Sequence, residues 1–220
     1  MSPAPKIAIV DYGVGNLRSV EKALAAVGAR AAITSNPDDV AAAGAVVLPG
    51  VGAFGAAAAN LRQSGLLPLV LESIAAGKPF LGICVGMQLL YEYSEELYGG
   101  KIARGLGLLP GAVRLFPPGL KTPQIGWNQL ELRQESPLFK GIDGGSYVYF
   151  VHSYYCDPAD KQDTAAETEY GITYCSSVIH KNIAAIQFHP EKSSVVGLAI
   201  LRNFWRWCRD EWQEEAAHAR

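Results

Sequence analysis

The sequence predicts a three-layer α/β fold: a central, mostly parallel sheet with helices on both faces, extended by antiparallel strands in the second half. Short apolar runs alternate with runs of helical period as far as residue 90. Two of the apolar runs, 45–48 and 80–83, contain almost no polar residue, as expected for strands buried on both faces. From Gly99 onward glycine and proline thicken, and strand-like runs follow one another until one long amphipathic stretch closes the chain.

Residues 6–10 make the first strand, ending at Asp11. The loop Asp11-Tyr12-Gly13-Val14-Gly15-Asn16 follows. Asn16 is placed to cap a helix in which Leu17, Val20, Leu24 and Val27 recur at helical spacing, and Gly28 stops it. Residues 31–34 are the second strand, and Asn36-Pro37-Asp38 opens a short helix. Residues 45–48 are the third strand, ending at Pro49-Gly50-Val51-Gly52. An Ala-rich helix runs from there to Gly77; then come the strand at 80–83 and a further helix. This βαβα order requires crossovers and therefore parallel strands. In the second half, 124–132, 146–155, 164–169, 172–179 and 183–187 read as strands, with 99–119 as Gly- and Pro-rich connections. Residues 193–212 form the closing helix, with Leu201, Trp205, Cys208 and Trp212 on one core-directed face. No repeat or low-complexity linker divides the chain, so residues 1–220 are expected to form one domain, flavodoxin-like in its layers.

The chain is 49% hydrophobic and 18% charged, which suits a folded core and not a disordered segment. A net charge of −2 gives no basic footprint for nucleic acid or an anionic membrane. No apolar run approaches the roughly 18 residues that span a bilayer. The start, with Pro3 and Pro5 leading straight into a strand, does not read as a signal peptide. The four cysteines, Cys84, Cys156, Cys175 and Cys208, are scattered without a Cys-x-x-Cys pair. That spacing speaks against zinc or dithiol chemistry and fits reduced thiols in the cytoplasm. No metal or cofactor is expected.

Gly82-Ile83-Cys84-Val85-Gly86-Met87-Gln88 carries the clearest chemical signal. Flanking glycines allow a sharp strand-to-helix turn that holds a nucleophile up at a strand end, and a helix N-terminus there favours the thiolate. The alternative is a buried core cysteine between two turn glycines. A cysteine nucleophile needs a base, and the chain has four histidines. His218 sits in a charged tail and His180 in a hairpin turn, both read as exposed. His189, in Gln187-Phe188-His189-Pro190-Glu191-Lys192, follows a strand, where sites assemble in α/β sheets. In an extended segment Glu191, two residues on, faces the same way as His189 and can accept its Nδ1 proton. His152 competes as base, but no carboxylate follows it closely; a wall of the substrate site is its other reading. The oxyanion of an acyl transfer requires donors, for which the N–H of Val85 and the glycine loop at Val51 and Gly52 are candidates.

Together, Gly82–Gln88, Pro49-Gly50-Val51-Gly52-Ala53-Phe54 and His189-Pro190-Glu191-Lys192 resemble the class I (triad-type) glutamine amidotransferases. Asp11–Asn16, Gly126-Trp127-Asn128 and Val151-His152-Ser153-Tyr154 are similar, within that family, to the glutaminase subunits of imidazole glycerol phosphate synthase. The resemblance runs nearly the whole length. It implies that Cys84 attacks the side-chain amide of L-glutamine, that His189 shuttles the proton and that Glu191 orients His189, releasing ammonia and then glutamate. It implies that Gly50, Gly52, Gln88, Ser153 and Tyr154 hold glutamine. It also implies a heterodimer whose other member is a (β/α)8-barrel cyclase subunit, using the ammonia to make imidazole glycerol phosphate and AICAR in histidine biosynthesis. Asp11, Asn16, Trp127, Asn128 and Lys192 are the interface candidates, and a peptide flip in the Pro49–Gly52 loop is a candidate switch. Gly13-x-Gly15 lacks the third glycine of a nucleotide fingerprint, since Arg18 stands there. Glutaminase subunits of other amidotransferases, such as the anthranilate synthase type, a stand-alone cysteine hydrolase and a thiol redox sensor are the competing readings.

Overall fold

The structure is a computed structural model; it describes residues 6–218, and side chains up to residue 210. The expectations for Pro3 and Pro5, and for the side chains of Trp212 and His218, lie outside what is described. In chain order the elements are β1 (Ile7–Val10), α1 (Leu17–Ala26), β2 (Ala31–Thr34), α2 (Pro37–Ala42), β3 (Ala45–Gly50), α3 (Phe54–Gln63), α4 (Leu67–Ala75), β4 (Phe80–Cys84), α5 (Val85–Gln88), β5 (Tyr93–Tyr98), β6 (Lys101–Arg104), β7 (Gly111–Leu115), β8 (Gln124–Gln129), β9 (Glu131–Leu132), β10 (Tyr147–His152), β11 (Tyr154–Pro158), β12 (Thr164–Glu169), β13 (Thr173–His180), β14 (Ile183–Ile186) and α6 (Ser194–His218).

A 12-stranded sheet runs β2-β1-β3-β4-β14-β13-β11-β7-β5-β6, with β12 and β9 branching from β13. Its first five strands are parallel throughout, and every residue of β1, β3, β4 and β14 is buried. That is the double-sided burial that their apolar sequences predict. The chain moves one way from β1 to β2 and the other way from β2 to β3, so right-handed crossovers put α1 and α2 on opposite faces. α1 packs against α6 and α2 against α4, completing the two helical layers. From β13 onward the sheet is mainly antiparallel. β8 and β10 form a separate antiparallel pair. On α6, Ile200, Leu201, Phe204, Trp205 and Cys208 face the core.

Several expectations need correction. The Ala-rich helix is two helices, α3 and α4, broken at Gly65, whose φ of +74° ends the first. Residues 93–98, 101–104 and 111–115 are strands that the charge of Tyr93-Ser94-Glu95-Glu96 and the surrounding glycines conceal. The run 124–132 is two strands, and 146–155 divides at Ser153, so that β10 pairs with β8 while β11 joins β7 and β13. Asn16 occupies the cap position of α1, but its side chain accepts from the Ser19 hydroxyl (2.9 Å) instead of a backbone N–H. Asn36 does cap α2, accepting from Asp38 N–H at 3.1 Å. His180 is half-buried and bonded to the Asp163 carboxylate (3.0 Å); the exposed turn residue is Lys181.

Candidate active site

Cys84 ends β4 with φ 55° and ψ −111°, a conformation disfavoured for any residue with a Cβ, which costs about 1–3 kcal/mol. The flanking glycines serve a different purpose from the one that their turn propensity suggests, since neither Gly82 nor Gly86 has a positive φ. A Cβ at Gly86 would overlap the Leu48 carbonyl oxygen, and one at Gly82 would lie 2.9 Å from Gly86 O. Gly50, the register partner of Cys84, is confined likewise: its Cβ would fall 2.8 Å from Val85 Cβ and 2.9 Å from the Tyr12 hydroxyl. The chain after β4 thus folds back across the end of β3, and only glycines permit that approach while Cys84 takes the strained turn. The helix that follows, α5, is a single turn, so its dipole is a much smaller influence on the thiol than a full helix would be.

β14 lies parallel beside β4, pairing Ile186 with Ile83, so the segment leaving β14 passes the nucleophile. There His189 bonds Cys84 through its side chain, and its Nδ1 lies 2.8 Å from Glu191 Oε1. The His189 and Glu191 side chains are 3% and 1% exposed. Burial pulls the His189 pKa down, but the bonds to Cys84 and Glu191 outweigh it and raise the value above the ordinary one, which suits the ring to take and hold the Cys84 proton. Among the described residues Glu191 Oε2 has no hydrogen-bond partner, and His189 is the counter-charge bonded to Glu191. The backbone here is not extended throughout. His189 is extended (φ −99°, ψ 101°), but Pro190–Lys192 is a 3₁₀ turn, and that turn swings Glu191 back to the ring. A ring of bonds fixes the backbone: His189 N–H to Tyr149 O (2.9 Å), Tyr149 N–H to Ser193 Oγ (3.0 Å) and Ser193 Oγ–H to His189 O (2.6 Å).

His152 is turned to another task. Its Nδ1 donates to Tyr154 O (2.9 Å) and its Nε2 faces the Tyr174 hydroxyl (3.2 Å). Burial, partly opposed by the Tyr154 bond, lowers its pKa to about 4, so it is a neutral wall group. Tyr12, in the first glycine loop, donates to Pro49 O (2.8 Å) and ties that loop to the one carrying Val51 and Gly52.

These groups open on a cavity of about 470 Å³. Cys84 and His189 face it, and Val51, Gly52, Val85, Gln88, Ser153 and Tyr154 also line it. Gly50 is buried behind Val85 and is not part of the lining. A larger depression of about 760 Å³, along residues 132–140, shares none of these residues. Gln88 is 4% exposed, and its Nε2 donates to both Tyr154 O (2.9 Å) and Gln187 Oε1 (3.1 Å). With both protons committed, Gln88 offers a ligand only its carbonyl oxygen. Glu96 is a charged lining residue that sequence reasoning missed. It also accepts from Phe54 N–H (2.7 Å) at the start of α3. No local pattern marks it, because the pairing of β5 with β7 carries it to the site.

The five partner-face candidates differ in how far they reach the surface. Trp127 and Asn128 are neighbours on β8 and point to opposite sides. Trp127 is 48% exposed, edge-on to Tyr149 at 5.9 Å, and Lys192 lies over the same Tyr149 ring and lines the cavity. Asn128 is turned inward, accepting from Gln124 Nε2 and donating to Glu169 O. Asp11 is half-buried, accepting from Gly13 N–H, and Asn16 is exposed on the neighbouring loop.

Comparisons with known proteins bear on family and fold. The model of the family described as "Glutamine amidotransferase class-I" matches residues 8–207. The "Imidazole glycerol phosphate synthase subunit HisH" of Moorella thermoacetica is 50% identical over 90% of this chain and 93% of its own length. The protein of the same name from Methanosarcina mazei is 50% identical over 92% of this chain and 99% of its own. Among solved structures, one described as a glutamine amidotransferase superposes with a TM-score of 0.71 over 91% of this chain and 98% of its own, at 19% identity. PurLQS from Thermotoga maritima does so with a TM-score of 0.73 over 96% and 100%, at 17% identity. At such identities the structural likeness speaks for the fold alone. Among the described residues, no helix is long and apolar enough to cross a membrane.

Proposed function

The chain belongs to the class-I glutamine amidotransferases, and from that premise we propose that it is the glutaminase subunit of imidazole glycerol phosphate synthase, with residues 1–220 acting as one cytoplasmic domain. The observation that carries the reading is the buried line from Cys84 through His189 to Glu191, open on one side to a cavity sized for an amino acid.

Cys84 Sγ attacks the Cδ of glutamine while its proton passes to His189 Nε2, the ring nitrogen left free by the Nδ1–Glu191 bond. The carbonyl oxygen becomes an oxyanion, which the N–H of Val85 and a peptide of the Val51–Gly52 loop receive. His189 returns its proton to the leaving nitrogen, so ammonia departs and a thioester remains. Water, deprotonated by the same ring, splits the thioester to glutamate and restores the thiol. Gln88 Oε1 and the Glu96 carboxylate are acceptors only, and the α-ammonium of glutamine is the group that needs them. Ser153 and Tyr154 line the same cavity.

The product is useful to a cyclase only if it is passed on before it is protonated and lost, so the cavity mouth is where the barrel-shaped cyclase subunit docks. The β8–β10 pair offers Ile125, Trp127 and Tyr147, at 61%, 48% and 54% exposure, on one face. Apolar and aromatic side chains held on a rigid pair suit the anchor of such an interface. The test is to incubate the chain with its cyclase partner and diazo-oxo-norleucine, then to locate the adduct by mass spectrometry. Labelling at Cys84 that glutamine prevents is the expected result; an unlabelled Cys84 overturns the reading. Glutamine hydrolysis should also rise when the partner and its ligand are added, and equal rates would remove the coupling.

A further inference from the structure

Gln187 follows β14, two residues before His189, and is fully buried. Its backbone N–H donates to Ser176 O (2.9 Å). Its side chain meets three groups: Nε2 lies 3.7 Å from Cys84 Sγ, and Oε1 accepts from Gln88 Nε2 (3.1 Å) and from the Cys156 thiol (3.9 Å). The orientation of both amides follows from one carbonyl. Tyr154 O can only accept, so the Gln88 atom 2.9 Å from it is nitrogen. The same nitrogen faces Gln187, which must present oxygen to it and is left with its NH₂ group toward the sulfur.

Cys84 is 3% exposed, and an anionic sulfur that is buried without donors is costly. The helix behind it is one turn long and offers little. The titratable groups that bear on it are His189, Tyr12, Cys156 and Tyr174. Burial raises the last three, which stay neutral in the working range; His189 bonds the sulfur, and the charged Glu96 and Lys192 line the same cavity without a bond to it among the described residues. A second donor on the sulfur is therefore needed, and Gln187 is positioned to be that donor.

We propose that Gln187 is a further functional residue of the glutaminase reaction: its Nε2–H holds the Cys84 sulfur while its Oε1 fixes the Gln88 amide, so that one buried side chain joins the nucleophile to the group that recognises substrate. The bond to sulfur strengthens as the proton leaves Cys84 for His189, because a thiolate is the better acceptor. The bond to Gln88 keeps its carbonyl, and not its NH₂, turned to the ligand. Nothing is transferred to or from Gln187 itself.

The inference rests on Cys84 being the nucleophile, and its test separates the two. Gln187→Met keeps a straight chain of similar length and removes the donor; Gln187→Leu also removes the donor, with a shorter, branched chain. The full chain is alkylated with iodoacetamide across a range of pH, and the adduct at Cys84 is followed by mass spectrometry. Loss of one hydrogen bond to a charged group predicts that the midpoint of the pH–rate profile rises by about one unit. In complex with the cyclase partner, kcat for glutamine should fall by about tenfold. KM should rise as well, because Gln88 loses one of its two acceptors. An unmoved midpoint in both variants overturns the proposal, whatever happens to the melting temperature. A parent Cys84 that is unreactive at every pH would instead overturn the nucleophile assignment beneath it.

Discussion

Replacing Glu191 with glutamine is the sharpest test of how the base is tuned. The carboxylate lies 2.8 Å from His189 Nδ1, and both side chains are almost inaccessible, at 1% and 3%. Glutamine fills the same volume and can still accept from Nδ1–H through its own carbonyl, so the packing survives and only the charge is lost. A hydrogen bond to a charged group contributes about 1.5–3 kcal/mol, against about 1 kcal/mol for a neutral one. The difference, roughly 0.5–2 kcal/mol, bears on the step in which His189 becomes an imidazolium. A fraction of the amides that turn NH₂ toward the ring would also force the proton onto Nε2, where it cannot accept from Cys84. The two effects together predict that kcat for glutamine, measured with the cyclase partner present, falls by about 10- to 100-fold. Glu191 does not line the cavity, so KM should stay within about twofold. A kcat within threefold of the parent, or a KM that climbs in step with the loss, would refute the idea that this carboxylate acts through His189.

Two further outcomes follow from the same geometry. Cys84→Gly should be about 1 kcal/mol more stable to urea than Cys84→Ala although neither hydrolyses glutamine, because only glycine takes φ 55° without strain; equal stabilities would remove the strained elbow. His152 is neutral in the fold, with a pKa lowered by burial to about 4 from an ordinary 6.5. Its depressed value means that the unfolded chain binds the proton first, so this stabilisation is present above pH 6.5 and lost as pH falls toward 4. Between pH 7 and 4.5 it amounts to about 2–3 kcal/mol. His152→Gln should be less sensitive to acid by about that amount in urea melts, and parallel losses in both proteins would contradict the assignment.

Much of the site is legible in the sequence. Cys84, His189 and Glu191 each sit in a short local pattern whose chemistry is interpretable on its own. The alternation that predicts the parallel half is legible too, because burial on both faces removes polar residues from 45–48 and 80–83. Gln88 is visible as a position, one helical turn past the nucleophile, but not as an acceptor: its donors are consumed by Tyr154 and Gln187, which lie far away in sequence. Glu96 and Gln187 are invisible as site residues for the same reason. Glu96 stands in a charged segment that becomes a strand by pairing with β6 and β7, and Gln187 reads as the polar end of an apolar strand. Trp127 and Asn128, adjacent in the chain, read as one surface, but the pleat of β8 sends them to opposite sides.

The sequence by itself determined the chemistry: a thiol, an imidazole and a carboxylate at strand ends, in a chain able to form a parallel sheet. The tertiary structure alone decided how those groups are used. Pairing β3, β4 and β14 side by side gathers residues 50, 84 and 189 around one site, and the crowding there explains why Gly50, Gly82 and Gly86 carry no side chain. The physical reason is that nucleophilicity and recognition depend on burial, on which proton of an amide is already spoken for, and on distances of a few ångströms. These are properties of contacts between residues remote in the chain, and no local pattern encodes them.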